Sequence, residues 1–104
     1  MNNTMKVKNM VGRKGNAVKN QFLITEEGRG ANGNFIRKEI FQSYDSVIAI
    51  RYVWADCIKI ELDATYWDYS TTTGKYRNLF LGENKAETQK KIDEGVYTLA
   101  NLNN

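Results

Sequence analysis

Asp56, Glu61, Asp63 and Asp68 crowd the middle of a chain of 104 residues. On a strand, Glu61 and Asp63 would share one face, opposite Ile60 and Leu62, which is the arrangement of an acid/base pair or a magnesium site. A divalent ion needs further oxygen ligands, and a pair of solvated acids on a sheet face is the expected outcome. Histidine is absent, which removes the commonest general base near neutral pH and the commonest metal ligand. The only thiol, Cys57, has Trp54, Asp56 and Ile58 nearby in sequence and no cation to lower its pKa. It is expected as a buried structural residue. No catalytic residue, metal or cofactor is therefore expected, and the chain is read as a non-enzyme.

Gly28, Gly30 and Gly33 spell G-x-G-x-x-G, the spacing that brings backbone N–H groups onto a pyrophosphate in dinucleotide-binding units. That chemistry requires a helix directly after the glycines. Here Phe35 to Phe41 interleaves charged and apolar residues as a strand does. With no helix N-terminus to hold a phosphate, the glycines are read as a long hairpin loop.

The elements that would position any site follow from periodicity. Ala17 to Thr25 and Phe35 to Tyr44 read as a hairpin, and Val47 to Val53 with the alternating Ile58, Ile60 and Leu62 as two further strands. Ser70 and Thr71 are good N-caps for a helix from about Thr72 to Leu81, carrying Tyr76 and Phe80, and Gly82 can close it. Asn84 followed by Glu87 resembles a capping box for a second helix, Lys85 to Glu94, with Gly95 just beyond. Val96, Tyr97 and Leu99 suggest a short last strand. The expected fold class is thus α+β: an antiparallel sheet of about four strands, two short C-terminal helices on one face, and a short final strand. A single domain, 1–104, is all that such a length supports.

Charge is unevenly spread. The net charge is +3, yet residues 1–25 carry Lys6, Lys8, Arg13, Lys14 and Lys19 with no acid, while residues 53–104 hold more acids than bases. Met5 to Val11 reads as a short strand or as part of a flexible basic arm over 1–16, and 101–104 as a frayed tail. One cysteine excludes an intramolecular disulfide, and no apolar run is long enough for a membrane span or signal peptide. A cytoplasmic protein that does not contact membranes is expected.

Aromatic residues cluster at Trp54, Tyr66, Trp67, Tyr69 and Tyr76. Trp67 and Tyr69 are the expected core members, whereas Tyr44, Tyr52, Trp54 and Tyr66 are candidates for a contact surface. Interfaces draw their energy from buried aromatics and arginines, which makes Arg29, Arg37, Tyr44 and Trp54 the expected partner-binding residues.

The string Trp67-Asp68-Tyr69-Ser70-x-Thr72-Thr73-x-Lys75-Tyr76 is followed by Phe80-Leu81-Gly82 and by Glu87-Thr88-x-Lys90-Lys91-Ile92-x-x-Gly95. Together they resemble small proteins encoded by phages, plasmids and prophages of low-GC Gram-positive bacteria. The resemblance spans about Asp45 to Leu102 and implies a mobile-element protein, a class that includes inhibitors of host defence such as anti-CRISPR proteins. On that basis the expected partner is a bacterial defence or replication protein, with a Cas9-type effector as its sharpest form. More loosely, residues 72–100 resemble an excisionase-like winged helix. That likeness implies nucleic-acid contacts from Lys85, Gln89, Lys90 and Lys91 on the second helix, with the last strand as the wing.

Overall fold

A computed structural model of the chain describes residues 4–28 and 36–103. In chain order these form β1 (Thr4–Val11), β2 (Ala17–Glu27), β3 (Arg37–Ser43), β4 (Ser46–Val53), β5 (Ile58–Asp63), α1 (Thr71–Leu81), α2 (Lys85–Asp93) and β6 (Thr98–Ala100). All six strands belong to one sheet, ordered β1-β2-β3-β4-β5-β6. The sheet is antiparallel from β1 to β5, and β6 returns parallel to β5.

The expected architecture of about four antiparallel strands is corrected by this six-stranded mixed sheet. Two segments account for the difference. Thr4–Val11, half expected as a flexible arm, pairs along β2 from Thr4↔Glu27 to Val11↔Ala17. The last strand joins the same sheet parallel to β5, which the two helices between them make possible as a crossover connection. Most of the hairpin loop, including Gly30 and Gly33, lies outside the described residues.

The helices end where capping chemistry says they should. Ser70 accepts from the Thr73 N–H at the start of α1, and Gly82 takes the left-handed conformation at its end (φ 73°). Asn84 and Glu87 form a complete capping box on α2. No basic residue stands in the last turn of α1. Arg51 of β4 supplies that charge instead: its guanidinium donates to the Phe80 carbonyl, lies over the Phe80 ring, and pairs with Glu39 at 2.7 Å.

Phe41 stacks on Phe80 at 5.9 Å, which fixes the face on which the helices lie. Its cross-strand neighbours Leu23, Ala49 and, one strand further, Leu62 share that face. Phe41, Ala49 and Leu62 make the core with Ile48, Tyr76, Phe80 and Tyr97, and Leu23 packs against it partly buried. Ile48 enters it through the register shift between Phe41 and Gln42, where β4 carries one extra residue.

Two carboxylates lock the chain's late segments to this core. Asp63 accepts from the backbone N–H groups of Thr65, Tyr66 and Leu102. Glu83 accepts from Thr88 at 2.7 Å, Lys91 at 2.6 Å and Tyr97 at 2.9 Å. Within the tail expected to fray, Leu102 and Asn103 are thus held, and Asn103 adds hydrogen bonds to both the N–H and the carbonyl of Val47.

Burial corrects two single-residue expectations and qualifies a third. Cys57 is exposed, because it sits in the β4–β5 turn. Tyr69 precedes the helix N-cap and is 47% exposed, while Trp67 is only partly buried against the core.

Gln21 is fully buried beside Ser43, whose hydroxyl meets that of Thr73 at 2.9 Å, yet neither amide atom of Gln21 has a partner among the described residues. An unsatisfied buried polar group costs about 1–3 kcal/mol. Gln21→Met, close in volume and without the amide, should therefore raise stability by roughly 1–3 kcal/mol in chemical denaturation. A fall of similar size would show that the amide is hydrogen-bonded in solution.

Candidate functional site

The sheet face opposite the helices is the feature with most potential for binding. Alternation along each strand sends Val7, Ile24, Ile40 and Ile50 to that side, since each neighbours a residue of the helix-facing set or its register partner. Register makes them one continuous row: Val7↔Ile24, Ile24↔Ile40, Ile40↔Ile50, ending at Glu61 across from Ile50. The row crosses five strands. Its edge is open, with Val7 61% exposed and Met5, two residues before it on the same strand face, 60% exposed, while Ile50 is buried.

Beside the row, Lys38, Tyr52 and Lys59 come from three adjacent strands. Tyr52 stacks on Trp54 at 5.7 Å, and Lys38 lies over the Tyr52 ring at 5.6 Å. Burial, then the charge and hydrogen bond of Glu61, push the Tyr52 phenol above its ordinary pKa, so it remains a neutral donor. Aliphatic row, paired aromatics and lysines form a mixed surface of the kind that anchors protein partners.

The residues singled out from sequence do not converge. Trp54 belongs to the surface just described. Arg37 faces the helix side, with its Nε bound to Glu39 at 3.1 Å. Tyr44 lies in the β3–β4 turn in the left-handed region (φ 55°), 46% exposed. Arg29 lies outside the described residues. Sequence reasoning missed Val7, Ile24 and Ile40, although a signal was present: Phe22-Leu23-Ile24 and Ile48-Ala49-Ile50 are apolar at both strand parities, as expected for strands with two apolar faces.

The second set is mostly engaged within the molecule. Lys85 pairs with Asp68 at 2.6 Å, Lys91 with Glu83, and Gln89 with Asp93 at 3.0 Å, leaving Lys90 without such a partner among the described residues. The strand expected as a wing, β6, is built into the sheet beside β5.

Glu61 and Asp63, expected as a pair of solvated acids, are separated in role. Glu61 lies on the uncovered face, whereas Asp63 is buried and occupied by backbone N–H groups. No group of three or more potential metal ligands occurs among the described residues.

On the helix side, a cleft of about 760 Å³ opens between the β1–β2 turn and the first turns of both helices. Arg13, Tyr69, Lys75, Arg77 and Lys85 line it, with Asp68 as its acid. Arg77 is only 1% exposed. It bonds the Trp67 carbonyl at 2.8 Å, Asp68 at 3.0 Å and Asn78 at 2.9 Å, and lies over the Trp67 ring.

Fold and surfaces together describe a small α+β sheet protein, with one face of its sheet partly covered by helices. No helix among the described residues is long and apolar enough to cross a membrane. The chain belongs to a family of unknown function, DUF8033, whose profile matches residues 5–95. No curated protein and no solved structure matches it.

Three carboxylates give the fold a defined acid limit. Burial alone would raise the pKa of each, but it is outweighed: by the Leu102, Tyr66, Asn103 and Thr65 hydrogen bonds at Asp63, by Lys85 and Arg77 at Asp68, and by Lys91, Thr88 and Tyr97 at Glu83. All three are held below their ordinary values, so the unfolded chain binds protons first as pH falls. Their contribution is fully present above about pH 5 and is lost as pH drops through about 4 and below. The melting temperature should fall across that window, and Asp63→Asn should flatten the fall. A melting temperature that is constant or rising from pH 5 to 3 would contradict this assignment.

Proposed function

We propose that this protein is a non-enzymatic binding protein of a phage or other mobile element, which inhibits a host defence nucleoprotein by stoichiometric binding. A Cas9-type effector is the foremost candidate partner, and the bacterial cytoplasm is the place of action. The observation that carries the binding role is the apolar row Val7–Ile24–Ile40–Ile50, flanked by the Tyr52–Trp54 stack. A sheet face of this composition loses water when a partner covers it, at roughly 25 cal/mol per Å² of apolar surface. The mobile-element setting rests on the sequence resemblance at Trp67 to Gly95.

A role in nucleic-acid recognition through α2 is the second candidate, and it is less well supported. Three of its four named residues already hold intramolecular partners.

Titration of the purified protein into a DNA-cleavage assay with a panel of Cas9-type effectors tests the proposal. Inhibition should saturate at a fixed molar ratio, and a complex should co-elute in size-exclusion chromatography. Trp54→Ala should weaken that complex by about 2 kcal/mol or more, and Val7→Glu should do the same by placing a charge in the contact. Both positions lie outside the core, so circular dichroism should be unchanged. Full effector activity at large excess, with no complex on the column, would overturn the anti-defence role.

A further inference from the structure

The helix-side cleft is independent of the uncovered face, and its chemistry is different. Its cations come from separate elements: Arg13 from the β1–β2 turn, Lys75 and Arg77 from α1, and Lys85 from the start of α2. Asp68 is already shared between Arg77 at 3.0 Å and Lys85 at 2.6 Å. Arg13 and Lys75 have no ion pair among the described residues, so the cleft carries a surplus of positive charge.

Two further observations point to an anionic ligand. The buried Arg77 guanidinium lines the cleft and sets a fixed positive charge in its wall, held in place by the Trp67 carbonyl, Asp68 and Asn78. The first turn of α1 also lines it, without an acidic side chain to offset the positive end of the helix. At the rim stands Tyr69, 47% exposed and held edge-on against Tyr66 at 5.5 Å. An exposed ring with a fixed orientation beside a cationic cleft is a stacking platform for a planar base. The cleft volume of about 760 Å³ is sufficient for a ligand of nucleotide size.

From these we infer that the cleft binds a nucleoside phosphate, with the phosphate near Arg13 and Lys75 and the base against Tyr69. The same chemistry is offered by a free nucleotide and by one unit of a single strand. Gly74 lines the cleft beside the Arg77 guanidinium, where an added Cβ would lie 3.6 Å from its terminal nitrogen, so the helix backbone itself forms part of the wall.

Isothermal titration calorimetry at low salt with adenosine 5′-monophosphate, adenosine, inorganic phosphate and a short oligodeoxythymidine tests the inference. The monophosphate should bind about 10-fold or more tightly than adenosine or inorganic phosphate, because each of those lacks one of the two contacts. Arg13→Ala combined with Lys75→Ala should weaken it about 10-fold or more, with a shallower salt dependence. Tyr69→Leu should weaken the nucleotide and leave inorganic phosphate unaffected. All three positions are exposed, so the fold should survive, as circular dichroism would verify. Oligomer binding at least about 10-fold tighter than the monophosphate would identify a single strand as the source, and comparable affinities a free nucleotide; either upholds the site. Absence of nucleotide binding at concentrations on the order of millimolar, or affinity unchanged in the double variant, would overturn it. So would inorganic phosphate binding as tightly as the nucleotide. None of these variants touches the uncovered sheet face, so the outcome is separable from that of effector inhibition.

Discussion

A sheet of six strands has two faces, and two short helices can cover only part of one. That mismatch governs the rest of the molecule. On the helix side, α1 packs its Tyr76 and Phe80 over Phe41, Ala49 and Leu62, and the core is confined to that end of the strands. Beyond the reach of α1 the same face is occupied by an ionic cluster, Arg37–Glu39–Arg51, rather than by apolar residues. Arg51 belongs to both regions: its charge satisfies Glu39 and the carbonyl end of α1 while its guanidinium covers an aromatic ring. On the opposite side no helix is present among the described residues, and the aliphatic row remains partly open to water. Monomeric proteins rarely leave such a row uncovered without a use for it.

The polar interior reinforces this layout through a few multiply bonded groups. Asp63 gathers the backbone N–H groups of Thr65, Tyr66 and the distant Leu102, and Glu83 the side chains of Thr88, Lys91 and Tyr97, which compensates for burying a carboxylate. Asp63 joins the end of β5 to the turn after it and to the C-terminal tail. Glu83 joins the α1–α2 turn to α2 and to Tyr97. Helices this short have little intrinsic stability, so these tertiary bonds and the core contacts hold them. The buried Arg77 acts similarly between α1 and the Trp67–Asp68 segment, and by doing so becomes the wall of a cleft.

Much of the local structure was legible in the residues themselves. The capping box at Asn84 and Glu87, the N-cap at Ser70 and the left-handed Gly82 are short-range features whose geometry depends on residues three or four apart, and each stands where the sequence places it. The strands β2 to β4 were visible as apolar, β-branched runs, and β5 in its alternation. By contrast, β1 carries lysines and exposed apolar residues in a pattern that suits an arm as well as an edge strand, and only the hydrogen bonds offered by β2 decide between them. The parallel return of β6 depends on where two helices deliver the chain, which no local pattern encodes. For this reason the expected four-stranded antiparallel sheet became a six-stranded mixed one.

By itself, the sequence determined the chemistry available: no histidine, one cysteine, a basic front and a reservoir of aromatic and β-branched residues. It did not determine which of these residues meet. Val7, Ile24, Ile40 and Ile50 are widely spaced along the chain and form one row only through strand register. Arg13 and Lys85 lie at opposite ends of the fold in sequence, yet line one cleft because α1 lies back across the sheet over β4 and β3, toward the first hairpin. Arg29, Arg37, Tyr44 and Trp54 have suitable side chains for an interface, but Arg37 and Trp54 fall on opposite faces of the sheet. The physical reason is that strand periodicity specifies alternation, whereas the face that each residue shares with others is set by pairing between strands and by which face the helices cover.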